Sequence, residues 1–121
     1  MLRTPKRLAG QSSAHNRSKV QEKGLAARVG GRQTKGSGSG YEQGDVRLKK
    51  LLRIEAKTTA HKSFSVTEEM IDKIEAACVG TGEIPIMQIE LRLGARKLIV
   101  MPDWALDWIV ERMGGSDALA E

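Results

Sequence analysis

The chain has 121 residues, with two Trp, one Tyr, one Phe and a single Cys. One Cys excludes both an intramolecular disulfide and a Cys-based zinc cluster, and no apolar run approaches the ~20 residues of a membrane span. The length is that of one domain with a modest, mainly aliphatic core.

Positive charge is concentrated towards the N-terminus. Residues 1–36 contain nine Lys or Arg and one acid, whereas residues 37–121 contain eleven Lys or Arg and fourteen acids. Such a basic segment favours a polyanion partner, and nucleic acid is the first candidate, with a solubilising tail as the alternative. The opening "MLRTPKRLAG" lacks the apolar stretch of a signal peptide, so an intracellular, soluble protein is expected.

The first predicted element is a helix preceded by an arm. Residues 1–16 have no apolar periodicity and are predicted to form a flexible basic arm. A helical pattern covers residues 17–29. Glu22 lies three and seven positions before the apolar Leu25 and Val29, which places it on their inward face. An acid that faces inward is a candidate functional residue, because the only acid of a helix usually faces water.

A glycine-rich segment, "GRQTKGSGSGYEQG", comes next and is predicted to be a loop. It is not a Walker loop, because "GSGSG" is not followed by Lys and a Ser or Thr. It could be a plain linker, or it could let the backbone approach phosphates closely. Arg32 and Lys35 beside it are candidate phosphate contacts, since Arg can bind phosphate with two parallel hydrogen bonds.

Two strands joined by a tight turn are predicted at Asp45–Leu48 and Leu51–Lys57. The second strand alternates, so Glu55 and Lys57 share one face while apolar residues form the other. Antiparallel pairing would bring Asp45 close to Glu55 or Lys57. A solvated face with a cross-strand salt bridge is the alternative interpretation, but a charge in a strand that is otherwise apolar is costly.

These charged groups predict a chemistry. Carboxylate oxygens that meet at one site are the ligands that Mg²⁺ prefers. The metal can polarise a phosphoryl oxygen and activate a bound water. The ammonium group of Lys57 could orient that water or stabilise charge in the transition state. Together they predict hydrolysis of phosphodiesters.

The remaining elements complete an α/β pattern. "SFSVT" is a possible short strand, and Thr67 is predicted to cap the following helix. "IPIMQIELRL" and "KLIVMP" are predicted strands, the second wholly buried, with Gln88 on a solvated strand face. Asp103 can cap the last helix, whose Trp104 and Trp108 are expected in the core or at a dimer interface. The order α-β-β-β-α-β-β-α predicts one central mixed five-stranded sheet flanked by helices.

The residues around the predicted hairpin resemble a known family. Asp45, nine intervening residues and then "EAK" resemble the PD-(D/E)XK nuclease signature, an acid on one strand followed by acid-x-Lys on the next. Gly44 stands where the family name has Pro. The wider stretch, about residues 18–60, resembles the archaeal-type and phage Holliday junction resolvases, which carry a Glu on the first helix and a Ser in the following loop.

The resemblance implies a restriction-endonuclease-like core in residues 17–121 and a role for each matching residue. Glu22 would be the helix acid that supports the site or a second ion. Asp45, Glu55 and the Ala56 carbonyl would hold Mg²⁺, for which Mn²⁺ is a plausible substitute. Lys57 would be the catalytic lysine. The expected DNA contacts are Arg32, Lys35, Lys62 and the loop serine, which is either Ser37 or Ser39.

The implied function is that of a Mg²⁺-dependent endodeoxyribonuclease that cleaves branched DNA, most like a Holliday junction resolvase. Resolution by two symmetric cuts implies a homodimer. The expected location is the cytoplasm of a bacterial, archaeal or phage-infected cell, in association with the nucleoid. Two alternatives stay open: a restriction-type or repair-type nuclease of the same superfamily, and a basic DNA-binding protein without catalysis.

Overall fold

The structure is a computed structural model that describes residues 6–34 and 45–115, with side chains described for 16–34 and 46–115. Three helices and five strands occur in these ranges. They are α1 (Lys6–Val29), β1 (Arg32–Gln33), β2 (Asp45–Leu48), β3 (Leu52–Thr58), α2 (Glu68–Cys78), β4 (Ile84–Leu91), β5 (Arg96–Val100) and α3 (Asp103–Arg112). None of these helices is long and apolar enough to cross a membrane.

The strands form one mixed sheet in the order β1-β2-β3-β4-β5. Strands β3 and β4 are parallel, and the other neighbouring pairs are antiparallel. The α/β class and the five-stranded mixed sheet predicted from sequence are therefore confirmed. Helix α2 connects the two parallel strands, as such a crossover requires.

One strand lies elsewhere than predicted. The backbone of "SFSVT", residues 63–67, is not a strand and leads into α2, where the Thr67 side chain accepts a hydrogen bond from the Met70 amide at 3.2 Å. The third strand before α2 is instead β1, within the predicted glycine-rich loop. It pairs Arg32 with Arg47 of β2, because a sheet edge offers backbone groups to any extended neighbour.

Helix α1 begins earlier than the predicted start near Arg17. Its backbone is helical from Lys6, so residues 6–16 continue the helix rather than forming a separate arm. Extension of an existing helix gains one hydrogen bond for each residue fixed, and this segment contains Leu, Ala and Gln, which favour helices.

Helices cover both faces of the sheet. On one face, Leu25 of α1 and Ala105 of α3 are buried against Ile54 and Ala56 of β3. On the other, Ile74 of α2 belongs to a second buried cluster. Strand β4 contributes residues to both clusters and is buried at every position except Leu91. It is the centre of the core, and β3 beside it is buried at its three middle positions, which include Glu55.

The predicted burial of "KLIVMP" is wrong. The first four residues of β5 are exposed, including Ile99 at 48%. The strand lies at the edge of the sheet and pairs only with β4, so its apolar composition does not bring it into the core. The predicted solvated face of Gln88 is also wrong, because the residue is buried beneath α1.

Helix α3 differs from its prediction in two details. Its N-cap is Pro102, which makes no side-chain hydrogen bond, while Asp103 occupies the first turn, where an acid is favoured by the helix dipole. Trp104 and Trp108 form an edge-to-face pair with centroids 5.2 Å apart. Both remain more than one-third exposed, so they are not core residues.

Candidate active site

Strand pairing brings the predicted acids together. Asp45 of β2 lies directly opposite Glu55 of β3 in the antiparallel register, as the sequence predicts. Lys57 follows two residues later on the same face of β3, and its Nζ lies 3.4 Å from Glu55 Oε1. The Asp45 side chain falls outside the described residues, so its position is fixed here only by the backbone register.

Glu55 is a buried carboxylate that lacks a hydrogen-bond partner for one of its two oxygens among the described residues. Its side chain is 7% exposed, and its Oε2 atom has no hydrogen-bond partner among the described residues. Lys57 contacts only the other oxygen, and its side chain is 33% exposed. Because an uncompensated buried charge is costly, this oxygen is suited to accept a cation or a water held by one.

The pair opens into a surface groove beside α2. The groove has a volume of about 660 Å³ and is lined by Glu55 and Lys57 on the strand side. The α2 side contributes polar residues that include Glu69 and Asp72. A phosphodiester could therefore approach Lys57 from solvent, whereas the Glu55 carboxylate beside it is almost fully buried.

The donor set fits a hard divalent cation in part. Mg²⁺ in proteins is held by one or two carboxylates, with waters filling its remaining positions. Glu55 offers a free carboxylate oxygen, Ala56 offers its carbonyl, and Asp45 lies across from Glu55 in register. Among the side chains described, no group of three or more His, Cys, Asp or Glu could hold a metal. Any ion here would depend on Asp45 and on water.

Glu22 lies on α1, across the sheet from the groove. Helix α1 packs against the face formed by Ile54 and Ala56, whereas Glu55 points to the α2 side. Glu22 is half-buried, and its Oε2 accepts a hydrogen bond from Ser18 Oγ at 3.1 Å. Its role as a site acid remains a prediction.

The sequence alone did not identify Gln21, the residue next to Glu22, as part of the site. Gln21 is 3% exposed, and its Nε2 lies 3.0 Å from the carbonyl oxygen of Lys57 and 3.1 Å from both Gln88 oxygens. Gln21 therefore joins α1 by hydrogen bonds to the backbone of β3 at Lys57, the candidate catalytic lysine. Gln21 lies four positions before the buried Leu25. Only this i, i+4 spacing could have indicated that Gln21, rather than Glu22, faces the sheet.

A second buried acid lies nearby on the α1 side. Glu90 of β4 is 1% exposed and receives two hydrogen bonds from the Arg17 guanidinium, at 2.6 and 2.9 Å. Lys97 Nζ approaches the same carboxylate at 3.8 Å. The hydrogen bond with Glu90 raises the pKa of Arg17 above its ordinary value, which favours the charged guanidinium. Glu90 is satisfied and serves to hold α1 on β4.

The predicted DNA contacts are spread around the molecule. Arg32 is exposed on β1, and Lys62 is exposed in the segment that follows β3. Lys35, Ser37 and Ser39 lie outside the described residues. Structure thus brings Glu55, Lys57 and the Asp45 backbone together, and it places Lys62 beyond the carboxyl end of the same strand.

No protein-family model, curated protein or solved structure matches the chain. The assignment of a function therefore depends on the residues and on their geometry.

Proposed function

We propose that the protein is a Mg²⁺-dependent endodeoxyribonuclease that acts on branched DNA, in the manner of a Holliday junction resolvase. The observation that carries the proposal is the buried Glu55 carboxylate, whose Oε2 has no hydrogen-bond partner among the described residues, with Lys57 beside it and Asp45 opposite in register. A solvated salt bridge would not require burial of the acid.

The site residues divide the work by their environment. Glu55 and Asp45, with the Ala56 carbonyl, would hold the ion, which supplies Lewis-acid activation of phosphate and water. Lys57 is one-third exposed and is tied through its backbone to Gln21. Its ammonium group can donate to an attacking water or to a phosphate oxygen as negative charge develops there.

A homodimer follows from the proposed reaction, because two symmetric cuts need two sites. Exposed apolar side chains on α3 and β5 support a second copy as the partner; they include Leu98, Ile99, Leu106 and Val110. The exposed Trp104 and Trp108 lie on the same helix.

The test is cleavage of a synthetic four-way junction beside a linear duplex of the same sequence, with and without Mg²⁺. We expect paired cuts in the junction, dependent on Mg²⁺ or Mn²⁺. Equal cutting of both substrates would assign the site to a restriction-type or repair-type nuclease. Binding without any cutting would leave a basic DNA-binding protein.

Glu22→Gln tests the predicted helix acid. Because Glu22 lies across the sheet from Glu55 and Lys57, we expect a nearly unchanged cleavage rate and junction affinity, whereas the role that the resemblance implies would require a loss of rate of about tenfold or more. Single-turnover cleavage and fluorescence anisotropy measure the two effects. Ser18→Ala is the control, because it removes the only hydrogen bond described for the Glu22 carboxylate but keeps the charge. An unchanged rate in Glu22→Gln would restrict the site to β2 and β3.

A further inference from the structure

Three exposed cations lie around one groove, two of them at the turn between β4 and β5 and one in the segment after β3. Lys62, Arg92 and Arg96 are all exposed, and together with Leu91 and Ala95 they line a groove of about 510 Å³. Within the described residues, none of the three takes part in an ion pair. The cations on the other face of the sheet differ, because Arg17 and Lys97 both contact Glu90.

The backbone holds this cluster in a fixed and unusual shape. Arg92 and Leu93 have φ values of 50° and 55°, a left-handed conformation that bulky residues rarely adopt. The amides of Arg92 and Leu93 donate to the carbonyl oxygens of His61 and Thr59, at 3.0 and 2.8 Å. The turn is thereby joined to the segment that carries Lys62. Such conformations are concentrated at functional sites.

The cluster lies on the same sheet face as the candidate active site. Arg96 pairs with Leu91 across β4 and β5, and paired residues point to the same side of a sheet. Leu91 packs in the α2-side cluster, and Glu55 and Lys57 line the α2-side groove. From strand spacing and register, the Lys57 and Arg96 Cα atoms are on the order of 12 Å apart, close enough for both side chains to contact phosphates of one nucleic-acid strand.

We infer that Lys62, Arg92 and Arg96 form a phosphate-binding cleft that holds the nucleic-acid backbone a few nucleotides from the phosphate presented to Lys57. This inference rests on the proposed function. The ligand is a run of backbone phosphates, because three unpaired cations on a rigid turn match repeated single negative charges and the groove offers no carboxylate for base recognition. The cleft supplies affinity and register, not sequence preference.

The experiment measures binding without cleavage. Fluorescence anisotropy of a fluorescein-labelled four-way junction, and of a linear duplex, is recorded in metal-free buffer from 50 to 200 mM salt. In Arg92→Gln/Arg96→Gln the slope of log K against log salt is expected to become shallower by about 1.8, because each lost phosphate contact contributes about 0.9. The loss of affinity at 50 mM salt should exceed about tenfold.

Two variants control for charge and for folding. Lys49→Gln/Lys50→Gln removes the same charge from exposed residues in the turn before β3, at the opposite end of that strand, and should leave the slope unchanged. Arg92→Lys/Arg96→Lys keeps the charge and should retain the wild-type slope. Circular dichroism and the urea midpoint check that each variant is folded.

The outcomes separate this inference from the proposed function. Wild-type binding and slope in Arg92→Gln/Arg96→Gln would overturn the cleft, and would leave the cluster to another partner such as an acidic protein. An equal loss in Lys49→Gln/Lys50→Gln would also overturn it, by showing a diffuse effect of net charge. If the wild-type protein binds DNA through the cluster but never cuts it, the cleft stands and the nuclease assignment fails.

Discussion

Replacement of Glu55 by Gln, or of Lys57 by Ala, is expected to lower the Mg²⁺-dependent cleavage rate by about 10²–10⁴-fold while the fold stays intact. Gln has the shape of Glu but removes the charge that a cation would require, and Glu55 Oε2 has no hydrogen bond to lose among the described residues. Lys57→Ala keeps the backbone carbonyl that contacts Gln21. Single-turnover cleavage of the four-way junction measures both rates.

Matched controls distinguish a site effect from a general loss of charge. Glu111→Gln and Lys49→Ala make comparable changes at exposed positions outside the groove and should cleave like the wild-type protein. Normal Mg²⁺-dependent cutting by either Glu55→Gln or Lys57→Ala would remove the nuclease assignment from this strand.

Thermal unfolding gives a readout that does not depend on activity. Mg²⁺ at ten times its dissociation constant should stabilise the wild-type protein by about 1.4 kcal/mol, because it binds only the folded state. The same addition should leave the melting temperature of Glu55→Gln unchanged. In metal-free buffer, Glu55→Gln should be at least as stable as the wild-type protein, since a poorly compensated buried charge has been removed.

Arg17→Met is expected to cost about 3–5 kcal/mol of folding free energy, the largest stability effect that we predict. The substitution preserves much of the side-chain volume but leaves Glu90 with only Lys97, whose Nζ is 3.8 Å away. The Glu90 side chain is 2% exposed and accepts both of the hydrogen bonds that Arg17 donates, so the substitution removes both from a largely buried carboxylate. The loss should appear as a lower urea midpoint with an unchanged m-value.

Two further variants isolate the cause of that loss. Arg28→Met makes the same change on the same helix at an exposed position, and should alter stability by no more than about 0.5 kcal/mol. Arg17→Met combined with Glu90→Gln should be more stable than Arg17→Met alone, because the unpaired buried charge is gone. A double variant no more stable than the single one would show that packing of the Arg17 stem, and not the ion pair, holds α1 on the sheet.

Local patterns were sufficient for much of the candidate site. The alternation of β3 assigned Glu55 and Lys57 to one face, and a tight turn between two strands put Asp45 close to one of the two, which the strand register identifies as Glu55. The cap at Thr67 followed from a short-range hydrogen bond. These features depend on residues close in sequence, which is why periodicity and turn chemistry predict them.

Predictions failed where burial depends on distant elements. "KLIVMP" has the composition of a core strand, yet β5 is exposed because it lies at the sheet edge. Gln88 has the composition of a surface residue, yet it is buried because α1 covers it and Gln21 satisfies its carbonyl. Polarity alone could not identify either outcome, since a polar group is tolerated inside wherever a partner meets it.

The sequence by itself determined the α/β class, the mixed five-stranded sheet, and the placement of an acid and a lysine on one strand face. Only the tertiary structure decided that Glu55 is buried with a free oxygen, that Gln21 reaches the Lys57 backbone, and that Arg92 and Arg96 meet Lys62 in one groove. Strand alternation is a property of neighbouring residues. Whether a side chain is buried, and which side chains meet in one groove, depend on the helix or strand that packs over them. These contacts join residues as far apart in sequence as Arg17 and Glu90.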